Sequence, residues 1–145
     1  MNRSVEATGE VLSNSAEVVL ELTPREVETW ALEVELLLRG LSDRLTVRGD
    51  GGKHVVLTLD KGAASGRGRA LRPDEHTFRF DLPANQLGYL QRALLVAYRD
   101  GVAEVNHIHI ETDAGAGTFD LTVMFEVYRP PMPGEEATRR LLAMD

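Results

Sequence analysis

Hydrophobic and polar residues alternate most regularly between Val105 and Tyr128, where the pattern predicts a long β-hairpin. Side chains along a strand point alternately to its two faces, so every second residue shares a face. The apolar face of this hairpin takes Ile108, Ile110, Phe119, Leu121, Val123, Phe125 and Val127. The polar face takes His107, His109, Glu111, Asp120, Thr122, Met124, Glu126 and Tyr128. We therefore expect one buried face and one face that carries the unusual side chains.

The turn of this hairpin is predicted at Ala114-Gly115, because glycine accepts a positive φ without steric cost. A two-residue loop at this position would place His109 opposite Asp120. The same pairing would place His107 opposite Thr122 on the polar face.

Two other segments have the period of amphipathic helices. In the first, Thr23 is a predicted N-cap, Pro24 suits the first helical position, and Glu26 can complete a capping box. Gly40 is the expected C-terminal stop of this helix. The second helix is predicted over residues 84–99, directly after a proline.

Adding the predicted strands gives the order strand-helix-strand-strand twice, in a first unit over residues 15–60 and a second over 76–128. Shifting the chain by sixty positions matches apolar residues in character, as with Trp30 and Leu90, which indicates an internal repeat. We therefore expect a single α+β domain over residues 1–145. Its expected architecture is a two-layer α/β sandwich, with a mostly antiparallel sheet of about six strands and two helices on one face. The other sheet face would then be open to water or to a partner.

Residues 61–75 interrupt the repeat, because they are rich in Gly and Arg and have no apolar period. We interpret them as a Gly/Arg-rich linker loop. The alternative is an anion-binding arm in which Arg67, Arg69 and Arg72 contact phosphate or carboxylate groups. The segment lacks the Gly-Lys-Ser/Thr ending of a P-loop.

The two ends of the chain are less regular. The first fourteen residues are expected to form a frayed tail, with a short strand near Val5 or Val11 as the alternative. Residues 129–145 are expected to form a Pro-rich tail that ends the sheet and contains a short helix over residues 135–144.

Composition narrows the classes of function. The net charge of −7 disfavours nucleic acid as a partner, since phosphate binding draws on a basic surface, but it permits a basic protein partner. The absence of Cys excludes disulfides, thiolate metal sites and Cys nucleophiles. Neither a signal peptide nor an apolar run of about 20 residues is recognisable, so we expect a cytoplasmic location and no membrane partner.

The sharpest chemical signal is His107-Ile108-His109, which puts two imidazoles on one face of a strand, close enough to share a metal ion. Over these three residues the pattern resembles the His-x-His of cupins and other metalloenzymes. Glu111 extends the row, so a metal site, if present, would use His107, His109 and Glu111. The alternative is that these side chains decorate an exposed sheet face.

Catalytic motifs are otherwise missing, because no Ser lies in a Gly-x-Ser-x-Gly elbow and no Gly-x-Gly-x-x-Gly follows a strand. We therefore expect a small non-enzymatic protein-binding module without a cofactor, of the inhibitor or antitoxin-like kind. Its partner would be another protein or its own copy. The alternatives are a metal-dependent enzyme built on the two His and a self-assembling structural protein. The expected binding face consists of His107, His109, Glu111, Asp120 and Thr122.

Overall fold

Nine strands and two helices make up the described part of the fold. The computed structural model describes the backbone of residues 4–8 and 10–13, and both backbone and side chains of residues 17–49, 52–62, 66–115 and 117–128. The strands are β1 (Ser4–Thr8), β2 (Glu10–Ser13), β3 (Glu17–Leu22), β4 (Arg44–Arg48), β5 (His54–Leu59), β6 (Gly68–Asp74), β7 (Thr77–Leu82), β8 (His107–Asp113) and β9 (Thr118–Phe125). The helices are α1 (Pro24–Leu38) and α2 (Ala84–Asp100).

All nine strands belong to one mixed sheet in the order β1-β4-β5-β7-β6-β8-β9-β3-β2. Parallel and antiparallel neighbours alternate along it, with four pairs of each kind. The expected two-layer sandwich with about six mostly antiparallel strands is therefore wrong, although the predicted helices and the strands that flank them are present. The sequence pattern found the β4–β5 and β8–β9 hairpins. It missed the β2–β3 and β6–β7 hairpins and the parallel pairs that join one hairpin to the next.

The sheet is curled, and the two helices belong to the same core as its inner face. The strands at its opposite edges, β1 and β2, are separated by one residue of the chain. Two residue steps span at most about 7 Å, so the two edges approach each other at this point.

The hydrophobic core lies between the inner sheet face and the two helices. Every second residue of β3, β4, β5, β7, β8 and β9 points into this core. The apolar stripe of each helix faces the same core. Trp30 of α1 is fully buried, as are Phe80, Leu90 and Val123. Both described helices pack on the inner side, so neither of them covers the outer sheet face.

Local signals at the helix ends are confirmed. The Thr23 Oγ1 accepts a hydrogen bond from the Glu26 N–H at 3.3 Å, and Glu26 Oε1 accepts one from the Thr23 N–H at 2.9 Å. Gly40 follows α1 with a φ of 72° and Gly101 follows α2 with a φ of 76°, as αL positions after a helix require.

The segment expected to be a linker contains β6, which pairs with β7 and, at its first two residues, with β8. Gly68 is buried there, and a Cβ at this position would collide with the carbonyl oxygen of Asp81. The Gln86 side chain of α2 bridges β6 and β8 where their pairing ends. Its Oε1 accepts a hydrogen bond from the Gly68 N–H and its Nε2 donates one to the Glu111 carbonyl, both at 2.7 Å. Gly68 therefore lets β6 lie close to the backbone at Asp81, whereas the sequence interpretation took this glycine as a sign of a loop.

At the amino-terminal end, β1 and β2 contain Val5 and Val11, so strands form where the tail was expected to fray. The Pro-rich tail over 129–145 and its predicted helix lie outside the described residues.

Candidate functional site

The outer face of the sheet carries all five residues of the predicted binding face. His107, His109 and Glu111 of β8 are exposed, whereas Asp120 and Thr122 of β9 are half-buried and buried. Ile108, Ile110, Leu121 and Val123 lie on the opposite, buried side. The assignment of faces from the alternating pattern is therefore confirmed within β8 and β9. Val127, which was expected on the apolar face, lies beyond β9 and is exposed.

The pairing of these residues differs from the expected one. Asp113 pairs with Thr118, and the Ala114 N–H donates to the Gly117 carbonyl, so the loop has four residues and not two. His109 therefore lies opposite Thr122, and Glu111 lies opposite Asp120. The register moves by two residues, which preserves the face of each side chain because the period of a strand is two.

Three carboxylates lie side by side across neighbouring strands. Asp120 of β9 is paired with Glu111 of β8 on one side and with Glu17 of β3 on the other. We name Glu17, Asp120 and Glu111 the carboxylate row. Like charges directly opposite each other destabilise a sheet, so the row costs folding free energy. In addition, Asp120 Oδ1 is shielded from solvent and has no hydrogen-bond partner among the described residues.

Next to the carboxylate row, His107 and His109 form a pair, with ring centroids 4.7 Å apart and ring planes at 75°. His109 Nδ1 lies 2.8 Å from Thr122 Oγ1, and Thr122 Oγ1 donates to Glu17 Oε2 at 2.9 Å. His107 Nδ1 lies 2.6 Å from Asn106 Oδ1. Thr122 thus links the histidine pair to the carboxylate row across three strands.

The two halves of the outer face differ in charge. Strands β4, β5, β7 and β6 turn Arg44, Arg48, Arg69 and Arg79 outward, with Asp74 and Asp81 as the acids among them. Strands β8, β9 and β3 turn Glu17, Glu21, Glu111, Asp113 and Asp120 outward, and these three strands contain no Lys or Arg. The acidic half therefore attracts cations and basic side chains.

The three arginines of the predicted anion contact are not brought together. Arg67 bridges Glu111 at 3.3 Å and Asp113 at 3.6 Å, and Arg69 lies 3.5 Å from Asp81. Arg72 points to the other side of the sheet, where its guanidinium lies 4.0 Å from the ring centroid of Phe78. Each arginine contacts a group within the fold, and the anion contact stays a prediction.

The described residues contain no group of three or more His, Asp or Glu side chains placed to hold one metal ion. Glu111, the expected third ligand after His107 and His109, is instead ion-paired with Arg67. The geometry thus offers two imidazoles on this face and no carboxylate beside them in ligating position.

A second surface lies on the helices. The groove between α1 and α2 has a volume of about 670 Å³ and exposes Leu32, Leu95 and Tyr98. Gln91 lines it, and its Nε2 donates to the Ala31 carbonyl at 2.9 Å while its Oε1 is buried without a hydrogen-bond partner among the described residues. This groove is the competing candidate for a protein contact.

Sequence interpretation missed the part of Glu17 in the site. Its strand was predicted, but β3 lies beside β9 through a parallel pairing between residues more than a hundred positions apart. Nothing in one sequence indicates that adjacency.

Comparison of the chain with protein-family models, curated proteins and solved structures found no match. Within the described part of the chain, neither helix has the length and apolar character that crossing a bilayer requires.

Proposed function

We propose that this chain is a protein-binding module whose outer sheet face takes a partner through that partner's basic side chains. The carboxylate row carries the proposal, because three adjacent carboxylates on a face that neither α1 nor α2 covers are unfavourable for folding alone. A Lys or Arg from a partner would relieve that repulsion and form charge-assisted hydrogen bonds. The proposal keeps the non-enzymatic role and the cytoplasmic location expected from the sequence.

The partner is either another protein or a second copy, since the basic half of the same face carries exposed arginines. Light scattering of the purified chain separates the two. A dimer that dissociates in high salt indicates that the partner is a second copy. A monomer indicates that the partner is a different protein.

Charge-matched variants test the role of the carboxylate row. The test variant removes its three charges and the control removes three exposed charges elsewhere, so both change the formal net charge of −7 equally. The test variant is Glu17→Gln with Glu111→Gln and Asp120→Asn. The control variant is Glu28→Gln with Asp43→Asn and Glu75→Gln.

Binding of a fluorescent, arginine-rich peptide is measured by anisotropy at low and moderate salt. We expect the test variant to bind several-fold more weakly than the control variant, which should stay close to the unmodified chain. Equal weakening of both variants would mean that only net charge matters, and it would contradict a site at the carboxylate row. A chain that binds no basic peptide would contradict the proposed function itself.

A further inference from the structure

The histidine pair is joined to hydrogen-bond partners that determine which ring nitrogen carries the proton. Thr122 has one hydroxyl proton and donates it to Glu17 Oε2. Its oxygen must therefore accept a hydrogen bond from His109 at 2.8 Å, which places a proton on His109 Nδ1. In the neutral ring the lone pair is then on Nε2.

His107 has the same tautomer for a different reason. Its Nδ1 lies 2.6 Å from Asn106 Oδ1, and an amide oxygen only accepts hydrogen bonds. His107 Nδ1 must therefore be the donor, and Nε2 again carries the lone pair. The two rings stand on one face of one strand, exposed, with centroids 4.7 Å apart.

This arrangement is the one that metal-binding histidines use. A ligating His usually donates its second ring N–H to another protein group, which fixes the tautomer and makes the ring a better ligand. Here the hydrogen bonds between His109 and Thr122 and between Thr122 and Glu17 supply that support. The surrounding acidic half of the sheet raises the local concentration of cations.

We propose that His107 and His109 bind one divalent transition ion through their Nε2 atoms. Imidazole suits Zn²⁺, Ni²⁺ and Cu²⁺, whereas Mg²⁺ and Ca²⁺ prefer oxygen ligands. Because Glu111 is held by Arg67, the protein supplies two ligands and water fills the other positions. The site thus differs from the three-ligand set expected from the sequence. It does not depend on a basic partner, because the ion alone is the ligand.

Calorimetric titration of the tag-free full chain with Zn²⁺ tests the ligands. We expect one ion per chain, and a loss of binding in both His107→Gln and His109→Gln. The two remaining histidines of the chain provide matched controls as His54→Gln and His76→Gln, which should bind as the unmodified chain does. Absence of binding, or an equal loss in a control variant, would overturn the assignment.

Variants of Thr122 test the hydrogen-bonded support without removing a ligand. Thr122→Val keeps the shape but ends the link to Glu17, and a loss of about 10–100-fold in affinity is expected. Thr122→Ser keeps the hydroxyl and should restore the affinity, which separates the hydrogen bond from packing. Long-range ¹H–¹⁵N spectra should show the proton of both rings on Nδ1. A proton on Nε2 of His109, or Zn²⁺ affinity unchanged in Thr122→Val, would refute the role of the hydrogen bonds that link His109 to Thr122 and Glu17.

Discussion

Replacing Asp120 by Asn tests whether the carboxylate row is kept at a cost to stability. The side chain is half-buried, its Oδ1 has no hydrogen-bond partner among the described residues, and a carboxylate lies on each side. Asn has nearly the same shape without the charge, so the substitution removes repulsion and little packing. We expect the variant to be more stable than the unmodified chain.

The magnitude follows from the two pairs that Asp120 makes. Cross-strand charge pairs are each worth about 0.2–1 kcal/mol. The pair with Glu111 lies at the lower end, because Arg67 is 3.3 Å from that carboxylate and partly compensates its charge. In the other pair the Glu17 carboxylate accepts a hydrogen bond from Thr122 Oγ1, so this repulsion also lies below the upper end of the range. Together we expect a gain of about 0.5–1.5 kcal/mol in the free energy of unfolding.

Urea denaturation at low salt and at about 1 M salt measures this gain. Repulsion between charges near the surface is screened by salt, so the gain should shrink at high salt. Asp113→Asn is the control, since it removes an exposed carboxylate that is ion-paired with Arg67 and should not stabilise the fold. A destabilised Asp120→Asn variant, or a gain that salt leaves unchanged, would refute the argument from repulsion.

Three further changes test the fold and the helical layer. Trp30→Ala should lower the free energy of unfolding by about 3–5 kcal/mol, because the indole is fully buried; a urea midpoint close to that of the unmodified chain would place the side chain outside the core. Gly68→Ala should cost about 1–3 kcal/mol, since its Cβ would collide with the Asp81 carbonyl; an unchanged melting temperature would contradict that close approach. Arg39→Ala should raise the pKa of Glu35, because the hydrogen bond from Arg39 is the main cause of its lowered pKa. A carboxyl whose pKa is lowered on folding stabilises the fold above its unfolded pKa, and this stabilisation is lost as pH falls through the folded pKa. NMR titration of the Glu35 carboxyl should therefore show a smaller lowering of the pKa in the variant, with the part due to Gln91 kept.

The sequence predicted which face each side chain of the hairpin occupies, but not its exact neighbours. Alternation in β8 and β9 is strong enough to place His109 and Thr122 outward. The register depends on the length of one loop, and Gly115 with φ 74° suits several loop lengths. A shift by two residues changes the partners and keeps the face.

The strand order could not be predicted, because it depends on parallel pairs between distant segments. The β5–β7 and β3–β9 pairs join strands from different hairpins. Parallel strands are not connected by a tight turn, so no turn residue in the sequence indicates that they pair. The same limit hid the contact between Glu17 and Thr122. In β6 a glycine and several arginines suggested a loop, although Gly68 is required by the tight approach to Asp81.

An NMR titration of the ¹⁵N-labelled chain with the arginine-rich peptide tests the central claim most directly. The proposed function predicts that amide shifts concentrate in β8, β9 and β3, around the carboxylate row and the histidine pair. Shifts concentrated in α1 and α2, beside Leu32, Leu95 and Tyr98, would contradict it and assign the contact to the helical groove.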